Sequence, residues 1–170
     1  QKPQVRFAEA LTSLLPAGLD SVYFVNSGTE ANEAALKLAK RITGRTKLVA
    51  CHKSYHGSTH GSLSITGNEE KKYRNRPLLP DVHFITFNST EGLTLIDDST
   101  AAVVVEPIQG DAGVRIPDLA WMHALRQRCD ERGAMLIFDE VQTGFGRTGK
   151  RFAFEHFGVV PDILVLGKAL

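Results

Sequence analysis

The chain has 170 residues, 42% hydrophobic and 23% charged, with a formal net charge of +1. That length suits one domain able to bury a core, and near-neutrality without a Lys/Arg stripe argues against a nucleic-acid partner. No apolar run approaches the roughly 18 residues of a membrane span and no signal-peptide pattern opens the chain, so the default expectation is a cytoplasmic protein without a membrane partner.

In chain order, a helix is expected over Gln4–Leu15, then a strand, Val22-Tyr23-Phe24-Val25-Asn26. That strand runs into Ser27-Gly28-Thr29-Glu30, an S-x-x-E capping box. The helix it opens carries an apolar stripe of Ala31, Ala34, Ala35, Leu38, Ala39 and Ile42, and Gly44 suits its end. A strand at Lys47–Cys51 leads to Tyr55-His56-Gly57. Gly67 to Pro80, with Lys71, Lys72, Arg74 and Arg76, reads as a surface excursion whose charges form a solvated face. Strands follow at Val82–Phe87 and Ala101–Glu106. A helix from about Asp118 to Arg132 turns Leu119, Met122, Leu125 and Cys129 inward, between Pro117 and Gly133. Two more strands, Ala134–Asp139 and Asp162–Leu166, complete the pattern. Near-continuous apolar strands alternating with helices point to a parallel α/β sheet covered on both faces.

The candidate chemistry gathers at the carboxyl ends of those strands, where open α/β sheets bind ligands. Asn26-Ser27-Gly28-Thr29 puts first-turn N–H groups, a helix dipole and two hydroxyls together, which suits a phosphate; a plain helix cap fits as well. Asp139 follows an apolar strand, and a carboxylate buried there needs a partner. A protonated pyridine nitrogen, a following turn or Arg147 would each serve. Lys168 closes Ile163-Leu164-Val165-Leu166-Gly167; a desolvated lysine there is a nucleophile ready for an imine, and a snorkelling lysine is the bland alternative. Tyr55 can stack on an aromatic ligand beside His56, or serve as a core tyrosine in a turn. Glu106 and Asp111 are acids at another strand end, explicable as loop caps. The histidines have no ligand spacing and Cys51 and Cys129 no metal-type spacing, so no metal is assigned; Cys129 reads as a reduced core thiol. An anion cradle, a buried carboxylate and a lysine at one sheet edge are the parts a pyridoxal phosphate enzyme needs.

Several segments resemble class III aminotransferases, with the ornithine/acetylornithine group as the nearest type. They are Val25-Asn26-Ser27-Gly28-Thr29-Glu30-Ala31-Asn32-Glu33-Ala34, Tyr55-His56-Gly57, Val105-Glu106-Pro107-Ile108-Gln109-Gly110, the run from Phe138 to Gly149, and Leu166-Gly167-Lys168-Ala169-Leu170. The resemblance implies a fold-type I large domain, a mostly parallel sheet with helices on both faces, and pyridoxal 5'-phosphate as cofactor. It implies that residues 1–170 are the central, incomplete part of that domain, lacking the start of the N-terminal segment, the last sheet strand and the C-terminal small domain. Lys168 would hold the cofactor as an internal aldimine and shuttle the substrate's proton. Asp139 would pair with the pyridinium nitrogen, Tyr55 and Val141 would stack on the two ring faces beside His56, and Gln142 would bond the ring hydroxyl. Ser27, Gly28 and Thr29 would hold the phosphate, and Glu106 would lie near the substrate. Asp111 stands where the ornithine group usually has glutamate, paired there with an arginine gating the α-carboxylate.

The implied reaction moves an amino group, the ω-amino group of an ornithine-like or acetylornithine-like donor, to a 2-oxo acid such as 2-oxoglutarate, in a homodimer. Within the same chemistry, diaminopelargonate, 4-aminobutyrate and putrescine transaminases, a 1,2-aminomutase and a decarboxylating member remain open. Outside that chemistry, a non-catalytic phosphate-ligand-binding module or an inactive assembly relic is the alternative. A chain with this extent alone is expected to be inactive.

Overall fold

The computed structural model describes residues 2–169. Helix α1 (Lys2–Thr12) and a coil lead to α2 (Gly28–Thr43), then β1 (Lys47–Cys51), two short helices, α3 (His60–Ile65) and α4 (Glu69–Lys72), and β2 (Val82–Ile85). After β3 (Thr100–Val105) come α5 (Leu119–Arg132), β4 (Met135–Asp139) and β5 (Ile163–Val165). The strands form one parallel sheet in the order β2-β1-β3-β4-β5. The expected parallel α/β architecture is therefore observed.

Period-two alternation sorts each strand's side chains between two cores. Val103 and Val105 of β3 face a layer with Trp121, Met122, Leu125 and Cys129 of α5. Ala102 and Val104 face Ala35, Leu36 and Ala39 of α2. β1 and β3 are buried along their whole lengths, and each buried Val, Leu or Ile contributes about 1.5–3 kcal/mol relative to exposure. Helix α5 ends on Gly133, whose φ of 59° continues the chain in the left-handed region.

Three expectations need correction. Val22–Asn26 is coil ending in a bend, not strand: no described residue supplies a ladder partner, and a segment becomes a strand only by pairing. Tyr23 is accordingly 79% exposed. The buried stripe of α2 is Asn32, Ala35, Leu36 and Ala39, whereas Leu38 and Ile42 face outward. The stripe is set by packing on the sheet, where Ala35, Leu36 and Ala39 meet Ala102 and Val104 of β3. On α5, Leu119 is exposed and Trp121 takes its place in the core, its Nε1–H donating to Ser89 O at 2.9 Å.

Candidate active site

Strand register sets the site. Asp139 of β4 lies beside Val165 of β5, and Lys168 follows just beyond the end of β5. The two residues thus leave neighbouring strands at the same sheet edge.

Asp139 is 5% exposed, and its partners are His56, Asn32 and Val141 instead of Arg147. Its Oδ2 lies 2.8 Å from His56 Nδ1 and accepts from Asn32 Nδ2 at 2.8 Å, while Oδ1 accepts from Val141 N–H at 3.1 Å. The last bond is a turn cap, so one bland reading is also partly realised. An ionised carboxylate only accepts, so the imidazole nitrogen facing it carries the hydrogen. His56 Nε2 and Asn32 Oδ1 remain buried with no partner among the described residues. His56 is thus more than a polar neighbour of Tyr55: it is one of the two side chains that hold the carboxylate.

The capping box forms in altered shape. Ser27 Oγ accepts from Glu30 N–H at 3.3 Å, but Glu30 Oε2 reaches back to Asn26 N–H at 2.7 Å instead of Ser27. A Cβ on Gly28 would stand 2.9 Å from both γ-carbons of Val141, so only glycine lets the α2 N-terminus approach that loop so closely. Gly57, at φ 128°, would likewise drive a Cβ into the Thr29 side chain. Thr29 Oγ1 shares a 2.8 Å hydrogen bond with Thr59 Oγ1 and accepts from Thr59 N–H. The Thr29 hydroxyl therefore serves the local fold, whereas Ser27 Oγ only accepts there and keeps its hydrogen, so that hydroxyl and the first-turn amides are the donors an anion would meet.

Lys168 sits at φ 52°, in the left-handed region that non-glycine residues seldom adopt. Such strain is held by the surrounding structure and clusters at functional sites. Its Nζ donates to Gln142 Oε1 at 2.6 Å. The desolvated setting expected for this lysine is not found: Lys168 is exposed in the described structure. A cleft of about 790 Å³ opens beside it, lined in part by Ile108, Gly110, Gln142 and Arg147. That volume lies in the range of small-molecule sites.

Glu106, 6% exposed, accepts from Tyr55 N–H at 2.9 Å and Gly110 N–H at 3.2 Å. Burial pushes its carboxyl above the ordinary glutamate value, against the opposing pull of His56 and those N–H bonds. Asp111 accepts from Lys71 Nζ at 2.6 Å, and the same ammonium lies 4.2 Å from the centre of the Tyr55 ring. Lys72 is buried, paired with Glu69 and 4.1 Å from the Phe84 ring centre. The excursion's charges are therefore not simply a solvated face, because two of its lysines pack on aromatic rings.

The described residues fit a phosphate-bearing, cationic aromatic ring. Buried polar atoms His56 Nε2 and Asn32 Oδ1 border the carboxylate, Val141 presses against Gly28 and Gly167, and the Tyr55 ring is partly exposed. No group of His, Cys, Asp and Glu side chains among the described residues could hold a metal ion. No helix among them is long and apolar enough to cross a membrane.

The family model Aminotransferase class-III matches residues 1–170. This chain belongs to the class-III aminotransferases. Among curated relatives of the family, the [LysW]-aminoadipate semialdehyde/glutamate semialdehyde transaminase of Sulfolobus acidocaldarius is 52% identical over 95% of this chain and 42% of its own length. The acetylornithine aminotransferase of Methanopyrus kandleri is 48% identical over 99% and 44%. The fold superposes on an amine transaminase from an uncultivated Pseudomonas species, solved in its PLP-bound form, with a TM-score of 0.89 and 32% identity over 95% of this chain and 43% of that one. The chain thus spans less than half the length of the class-III aminotransferases it matches.

Asn32 and Glu140 carried no role in the sequence reading. Asn32 is a polar residue on the same wheel positions as Ala35, Leu36 and Ala39, and that placement was the available signal. Glu140 hides behind the adjacent Asp139, and nothing in its own pattern marks it as buried.

Proposed function

We propose that the chain is the central part of the cofactor-binding large domain of a pyridoxal 5'-phosphate-dependent aminotransferase, acting as a cytoplasmic homodimer. The donor would be an ornithine-like or acetylornithine-like amine and the acceptor a 2-oxo acid such as 2-oxoglutarate. The observation that carries this reading is that Lys168 and Asp139 leave neighbouring strands at one sheet edge, where the α2 N-terminus packs on Val141. When bound, the cofactor supplies a covalent attachment point and an electron sink.

The roles of the chain's own residues follow from their chemistry. Lys168 Nζ offers the amine for covalent attachment and then moves the substrate's proton. Asp139, held by His56, Asn32 and Val141, presents negative charge to a cationic ring nitrogen. Gln142, already bonded to Lys168 Nζ at 2.6 Å, would turn its amide to the ring hydroxyl once the lysine is engaged. Tyr55 and Val141 would take the two ring faces, and the Gly28 and Thr29 amides, with Ser27 at the cap, the phosphate. Glu106 would border the substrate, and Asp111 would contribute to its selection through Lys71.

The test is a donor and acceptor screen on the full-length protein, with the cofactor's visible absorbance recorded for wild type and Lys168→Ala. Transfer from an ω-amine together with a band that Lys168→Ala abolishes supports the reading. Cofactor binding unaffected by Lys168→Ala, or binding without any transfer, favours a phosphate-ligand module instead. The 52% identity to the Sulfolobus relative favours, as the second reading, an amine related to the semialdehydes in that relative's name, and such donors belong in the same screen.

A further inference from the structure

We propose that Asn32 is a positioning residue for Asp139, whose amide ties the carboxylate to the first turn of α2 without neutralising it. The negative charge then stays directed at a cationic ring nitrogen. The inference rests on the function proposed above.

Asn32 is 1% exposed and projects from α2 among Ala35, Leu36 and Ala39. Its Nδ2 donates to Asp139 Oδ2 at 2.8 Å, His56 O at 2.9 Å and Gly28 O at 3.2 Å. One NH₂ group has two hydrogens, so one of them is shared between two oxygens. The orientation of the amide is dictated by its surroundings, since a flipped group would set Oδ1 against three acceptors. In one side chain the contacts join the phosphate-side turn (Gly28), the histidine segment (His56) and the end of β4 (Asp139).

Stability alone does not account for an asparagine here. Asn32 Oδ1 is buried with no partner among the described residues, a cost alanine would not carry. Asparagine is also a poorer helix former than alanine. The amide's contribution therefore lies in what Nδ2 holds. A neutral donor suits that task, because an ammonium or guanidinium in the same place would compete with the ring nitrogen for the carboxylate's charge. His56 shares Oδ2, and buried Glu106 interacts electrostatically with both His56 and Asp139. Without Asn32 the carboxylate would retain His56 and Val141 as donors, lose its tie to α2, and be free to turn toward the histidine.

The experiment uses the full-length protein loaded with pyridoxal 5'-phosphate. It compares wild type, Asn32→Ala, the isosteric Asn32→Asp and Ser64→Ala. Ser64 is a buried hydroxyl of α3 that bonds His60 O and Leu79 N–H, away from Asp139. Asn32→Ala is expected to release cofactor about tenfold faster, as loss of a hydrogen bond to a charged group implies, and to weaken the visible circular dichroism of the bound ring. Ser64→Ala should lower the melting temperature with cofactor release unchanged. Wild-type release and dichroism in Asn32→Ala, or the same acceleration from Ser64→Ala, would overturn the proposal. If Asn32→Ala does not accumulate folded, Asn32→Asp is measured instead, with release faster still because two carboxylates then face each other. The His56 Nδ1–H resonance of the cofactor-free protein gives an independent readout. It should shift in the Asn32 variants, and an unmoved resonance overturns the clamp even if wild type binds no cofactor, the result that would defeat the function alone.

Discussion

Asp139 and Glu140 are adjacent carboxylates at the end of one strand, and both are buried, yet they serve opposite sides of the molecule. Glu140 Oε2 accepts from Ala153 N–H at 2.6 Å and Thr143 Oγ1 at 3.0 Å, and Oε1 from Phe154 N–H at 2.8 Å. All three donors belong to the loop just downstream, so Glu140 is a staple for that loop. Asp139 is held by side chains from two distant segments, His56 and Asn32. Burial of an acid is therefore no mark of catalysis by itself. Donors drawn from separate elements are the better sign.

The contrast can be tested from its strongest consequence downward. Lys168→Ala should lower amino transfer by about a thousandfold or more while leaving the fold intact; steady-state rates together with far-UV circular dichroism check both halves. Glu140→Ala should cost about 3 kcal/mol in denaturant unfolding, because buried backbone donors lose their acceptor. Asp139→Asn should cost less, about 1 kcal/mol, because the amide oxygen can still serve His56 and Asn32 while the Val141 N–H loses its acceptor, and should reduce turnover by about a hundredfold. Equal stability losses at the two positions would erase the distinction.

A subtler difference lies in pH dependence. Burial pushes the Glu140 carboxyl above the ordinary glutamate value, outweighing the amides that favour its charge. A native value above the unfolded one means that this group's contribution is full below the ordinary glutamate range. It is lost as pH rises through the native value. Glu140→Gln should therefore flatten the decline in melting temperature over that rise, although it lowers stability overall. The smallest effect belongs to the rim. Asp111→Ala breaks an exposed ion pair with Lys71 and should cost about 0.2–1 kcal/mol, its main consequence appearing in the KM for the amino donor.

Much of the architecture was legible in the chain. The strand patterns at Lys47–Cys51 and Ala134–Asp139 coincide with β1 and β4 to within a residue, since a strand buried on both faces writes an unbroken apolar run. Val22–Asn26 has an equally good pattern and forms no strand, because β-propensity describes a surface suited to pairing and cannot supply the partner. At the site, Lys168, Asp139, His56 and Gly28 were visible as residues at strand ends and turns. The roles of Asn32 and Glu140 were not visible, since each depends on which neighbour its side chain meets.

Local pattern thus determined the succession of elements, the parallel sheet and the edge at which chemistry collects, because periodicity and turn residues act over a few positions. Tertiary packing alone decided which way α2 is rotated, that His56 and Asn32 converge on one carboxylate oxygen, and that Lys71 lies against Tyr55. Those outcomes come from contacts between residues far apart in the chain, and no local propensity encodes them.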